Sequence, residues 1–148
     1  MGVLKRLTAP SVLALITLAS STALAKDPPR VLFLSKSSGF EHSAIARRDG
    51  RSSHVADVLE KIAAKENFGL VSTKDASLIT AAELANLEAV VLYTTGDLTQ
   101  TGTKKGPFGG DGERPMKAEG VSDLMKWVEN GGALLGFHSA ADTFHDAS

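Results

Sequence analysis

The segment "LLGFHSAADTFHDAS", Leu134 to Ser148, places two histidines, a serine and acidic residues directly behind an apolar run. Three kinds of chemistry fit those residue types. The stretch Gly136 to Ala140, "GFHSA", has the glycine-x-residue-x-small form of a nucleophile elbow, a tight strand-to-helix turn that presents one side chain. His138 occupies the presented position, where an imidazole serves as acid, base or ligand more readily than as nucleophile. Ser139 and Asp142 also read as a capping box, "SAAD", with Ser139 as N-cap and Asp142 reaching back. The third reading is a metal set. His138, Asp142 and His145 stand at offsets that share one helical face and suit zinc or a similar ion. It fails on spacing, because His138 belongs to the end of a strand, so no metal or other cofactor is expected.

Further polar residues stand behind other apolar runs. "SGFEH" contributes Glu41 and His42, and "TTGD" contributes Gly96 and Asp97. No Gly-x-Gly-x-x-Gly is present, so a dinucleotide is not expected. "GPFGGDGERP", Gly106 to Pro115, is rich in glycine but does not lead from a strand directly into a helix, and reads as a flexible lid or rim. The chain has no cysteine, which removes disulfides, thiolate metal sites and a cysteine nucleophile together.

The elements that must position these residues alternate. "RVLFLS", "FGLVST", "AVVLYTT" and "ALLGFHS" read as strands, and such continuous apolar runs suit a parallel sheet buried on both faces. Between the first two, Val55, Val58, Leu59, Ile62 and Ala63 form one helical stripe behind Ser52 or Ser53 as N-cap. "TAAEL" opens a short helix from a capping Thr80. Val121, Leu124, Met125 and Val128 mark a third helix, which Gly131 or Gly132 stops in a left-handed C-cap. This β-α-β-α-β-α-β order predicts a doubly wound, three-layer α/β/α domain. Parallel strands bring their C-terminal ends to one edge, where ligands of open α/β sheets bind. Strands one and four of a 2-1-3-4 order lie about 10 Å apart. His42 and His138 are therefore expected to line one cleft.

The net charge of −1 argues against a nucleic-acid partner, which requires a basic excess. The first 25 residues read as a secretory signal peptide: Lys5 and Arg6, an apolar stretch too short to span a bilayer, then "ALA" before a cut between Ala25 and Lys26. The remainder, 26–148, reads as one domain, secreted or periplasmic, with no membrane span after cleavage.

"VLFLSKSSGFEHSAI", "VVLYTTGD" and above all "WVENGGALLGFHSAADTFH" resemble the ThuA-like family, whose namesake belongs to a trehalose-utilisation system. The resemblance runs from Val31 to His145. It implies a flavodoxin-like sheet related to class I glutamine amidotransferases. Those relatives carry a cysteine at the elbow where this chain has His138, so amidotransferase chemistry is not expected. It also implies a carbohydrate or modified (keto) sugar as ligand, and points to His42, Asp97, His138, Ser139 and Asp142. Such domains usually continue past the Asp-Thr segment, so the fourth strand is expected to lack a neighbour and the domain to be incomplete. If the domain is an enzyme, His138 would be its acid/base, oriented by Asp142 or Asp97. The alternatives are a binding module that has lost its nucleophile, or a fragment without function.

Overall fold

A computed structural model describes residues 27–103 and 108–144. The leader-like segment before Asp27 and the terminal His145 lie outside the described residues.

Four strands form one sheet, β1 (Arg30–Leu34), β2 (Gly69–Thr73), β3 (Ala89–Leu92) and β4 (Ala133–Gly136). Their order is β2-β1-β3-β4 and every pairing is parallel. The connections carry helices α1 (His54–Glu66), α2 (Ala81–Leu84) and α3 (Gly120–Glu129), with single 3-10 turns at Ala76–Leu78 and His138–Asp142. The topology is flavodoxin-like, as the alternation of elements predicts.

Local chemistry sets the helix ends. Ser53 caps α1 by accepting from the Ala56 amide at 3.3 Å, and Thr80 caps α2 by accepting from the Glu83 amide at 3.3 Å. Each cap satisfies an amide that has no partner within its own helix. Gly131 follows α3 in the left-handed region at φ 100°.

Side chains alternate along the strands, so the sheet builds two cores. Leu32, Leu34, Val90 and Leu92 pack with Leu84 of α2 and Leu124 of α3 on one face. Phe33 and Val91 pack with Ile45 and Ala56 of α1 on the other.

The expectation of burial on both faces holds for β1 and β3 but fails for β4. All four of its residues are exposed, and Leu135 reaches 52%. Among the described residues strand β4 pairs with β3 on one side only, and none of its residues joins either core. Apolar composition therefore makes a strand there without making a core.

This asymmetry sets the energetic weights. Leu92→Ala removes methyl groups from a closed core and should cost about 2–5 kcal/mol. Leu135→Ala should stay within about 1 kcal/mol, because about half of that residue is already in water. Urea denaturation of the two variants checks the contrast.

Candidate functional site

The polypeptide leaves β1, β3 and β4 at the same sheet edge, and each exit supplies an aromatic or imidazole ring. The β1 exit brings Phe40 and His42, the β3 exit Tyr93 and the β4 exit His138. The His42 and His138 rings meet edge to face with centroids 4.4 Å apart. Tyr93 lies nearly parallel to His138, at 5.9 Å and 17°, and 5.9 Å from His42. Phe40 stands edge-on to His42 at 4.8 Å and reaches Phe108 of the long β3–α3 connection at 5.8 Å. All five rings are at least partly accessible at this edge: Phe40, Phe108 and His138 are exposed and His42 and Tyr93 half-buried.

His138 has the geometry of an elbow. Its φ is 54°, in the left-handed region, which costs a residue with a Cβ about 1–3 kcal/mol. The following Ser139 fixes the turn twice. Its hydroxyl donates to the Thr94 carbonyl at 2.8 Å, and its amide donates to His138 Nδ1 at 2.7 Å. The capping box expected at "SAAD" therefore does not form. The 3-10 turn starts at His138 with Phe137 as N-cap and no side-chain cap bond. The Thr94 carbonyl from the neighbouring strand exit takes the hydroxyl that local geometry would have assigned to a cap.

The other expected site residues divide. His42 and His138 come together. Asp142 is exposed, and among the described residues no ion pair joins it or Asp97 to His138. Asp97 turns back on its own loop. Its carboxylate accepts from the Thr99 hydroxyl at 2.7 Å and the Thr99 amide at 2.8 Å. The Thr99 hydroxyl above all holds its pKa below the usual carboxylate value. Gly96, at φ 69°, lets the β3 exit approach the β1 exit, since a Cβ there would lie 2.7 Å from Ser38 Oγ and 3.0 Å from the Gly39 amide nitrogen. Glu41 is bound to the Lys74 ammonium at 2.9 Å. Among the described residues no group of three metal-ligating side chains forms, and the metal set that included His145 falls partly outside them.

Beneath Glu41 lies a buried ionic cluster that the sequence reading missed. Asp111 accepts from the Ser37 amide at 2.6 Å and the Glu113 amide at 3.0 Å. Lys74 stands 3.4 Å from one of its oxygens and Lys36 3.6 Å from the other. Lys36 also donates to the Glu113 carbonyl at 2.7 Å, and Lys74 to the Ser35 carbonyl at 2.8 Å. Burial pulls the Lys36 pKa below that of an ordinary lysine, with Asp111 opposing the shift. Glu41, Arg47, Lys74, Asp111 and Glu113 line a cleft of about 280 Å³.

This cluster changes the reading of the glycine-rich stretch, whose described part is a rim fastened down and not a lid. Asp111 ties it to the β1 exit, and Gly110 sits so close that a Cβ would lie 2.6 Å from the Ser37 carbonyl. Signals for the missed residues were present. Lys36 and Lys74 each stand just beyond a strand's C-terminal end, where a parallel sheet gathers its polar groups.

Residues 30–147 match the family model ThuA, described as trehalose utilisation. The chain belongs to the ThuA family. Comparison with curated proteins and with solved structures found no match to either. Membership agrees with the parallel flavodoxin-like sheet and ties the chain to carbohydrate-related function. The matched span includes every ring of the cluster and the whole buried ionic cluster.

Asp111→Ala would leave two buried ammonium groups short of their shared carboxylate. Breaking a buried pair in this way costs about 3–5 kcal/mol. The expected outcome is a large fall in the urea midpoint, whereas Asp97→Ala, on an exposed loop, should move it little.

Proposed function

We propose that this ThuA domain binds, and acts on, a carbohydrate or modified (keto) sugar at the ring cluster of His42, Tyr93 and His138. The observation that carries the reading is the convergence of those three rings from three strand exits onto the edge where parallel sheets bind ligands. A pyranose offers a C–H-lined face and a rim of hydroxyls. Aromatic faces with negative quadrupoles suit the former, and imidazole and phenol groups the latter. The Glu41–Lys74 cleft is linked to the cluster through Glu41, which stands in the chain between Phe40 and His42, and offers further polar groups for outer hydroxyls.

A non-catalytic binding module is the second reading. It is favoured by the absence of cysteine and by a histidine at the elbow position that holds the nucleophile in amidotransferase-like relatives. Calorimetry of the protein against trehalose, other disaccharides and their keto derivatives separates the two. Binding with turnover supports an enzyme, and binding without turnover supports the module. His138→Ala should weaken binding at least tenfold, and undiminished affinity would remove the site assignment.

We place the protein outside the cytoplasm, secreted or periplasmic. The support is the charged, apolar and small-residue order of the first 25 residues. Mass spectrometry of the expressed protein should find Lys26 as the first residue. An intact Met1 on exported protein would contradict this.

A further inference from the structure

The bond from the Ser139 amide to His138 Nδ1, 2.7 Å long, decides more than the shape of the turn. A ring nitrogen that accepts a hydrogen bond carries no proton. In the neutral imidazole the proton therefore sits on Nε2. A backbone amide has no second protonation state and cannot reverse its direction. The arrangement is the opposite of a base held by a carboxylate. There the acid accepts from Nδ1–H and leaves Nε2 bare to take a proton. Neither carboxylate expected to play that part does so: Asp97 is engaged with Thr99, and no ion pair among the described residues reaches His138 from Asp142.

Two further contacts keep the ring oriented. Tyr93 stacks on it within 17° of parallel, and His42 meets it edge to face. The left-handed backbone at φ 54° fixes the direction from which the side chain leaves the chain.

We propose that His138 works through Nε2–H as a neutral hydrogen-bond donor that holds and polarises a carbonyl or hydroxyl oxygen of the ligand, and that it does not act as a base. The proposal rests on the reading of the ring cluster as a sugar site and specifies what one of its groups does there. The proton is shared with the ligand oxygen and stays on Nε2, so His138 itself gains and loses nothing. Donors of this kind act over about 2.7–3.1 Å and strengthen as negative charge develops on the oxygen.

The test is long-range proton–nitrogen correlation NMR on the full chain with labelled histidine, His138 being assigned through its backbone. The expected spectrum shows a protonated Nε2 and a bare Nδ1 in the neutral ring. A protonated Nδ1 overturns the proposal. This measurement needs no ligand, so it stands apart from the sugar assignment, which fails separately if trehalose and its keto derivative leave every ring resonance unmoved. The paired variants His138→Gln and His138→Ala test the donor itself. Glutamine keeps an N–H donor but cannot serve as a base, and both residues meet the same left-handed backbone. His138→Gln should hold affinity for the keto sugar within about threefold of the parent, and His138→Ala should lose at least tenfold relative to the parent, a loss of about 1.4 kcal/mol or more. Equal losses in the two would overturn the donor role.

Discussion

A carboxylate taken out of water must be surrounded by donors, and Asp111 shows how much structure that requirement can organise. Its two oxygens gather the ammonium groups of Lys36 and Lys74 and the amides of Ser37 and Glu113. The β3–α3 connection must therefore return to the exit of β1. Once it is there, Phe108 lies against Phe40, and Lys74 is positioned to hold Glu41. The ionic cluster is thus linked to the rings through the segment Phe40 to His42. Apolar residues of the same volume would often stabilise a fold as well as a buried ion pair does. They would lack its directional bonds, and those bonds set where the loop crosses the strand ends.

The elbow at His138 follows a similar logic on a smaller scale. A residue with a Cβ in the left-handed region persists only where its surroundings over-determine it. Ser139 supplies much of that constraint, with its hydroxyl on the Thr94 carbonyl and its amide on the imidazole. The same serine thus fixes both the backbone of the turn and the tautomer of the ring it presents. Family membership ties the domain to carbohydrate-related function, and the tautomer narrows the chemistry available at this position.

The sheet is unequal from side to side. Strands β1 and β3 are enclosed by α1 on one face and by α2 and α3 on the other, and they form the rigid centre. Strand β4 has a similar apolar composition but is partly exposed along its whole length. It still delivers His138, because register with β3 needs only backbone hydrogen bonds, among them the bond from the Phe137 amide to the Leu92 carbonyl. A functional residue can therefore be placed by pairing alone where packing contributes little.

Much of this was legible along the chain. Apolar runs, the stripe on α1, and the caps at Ser53 and Thr80 depend on groups a few residues apart, so period and residue type reveal them. The parallel direction followed from the alternation of strands and helices, and with it the meeting of His42 and His138. What the chain could not disclose was which polar groups would be buried together. Ser37 and Asp111 are 74 residues apart and Lys74 and Asp111 are 37 apart, and nothing in their spacing pairs them. Ser139 shows the boundary most clearly. Its local signal is a helix cap, but a carbonyl from the neighbouring strand exit takes its hydroxyl. Sequence determined the elements and the edge they share, because those rest on short-range periodicity and hydrogen bonding. Tertiary structure alone decided the partners at that edge, because desolvation acts on groups that meet in space, whatever their distance along the chain.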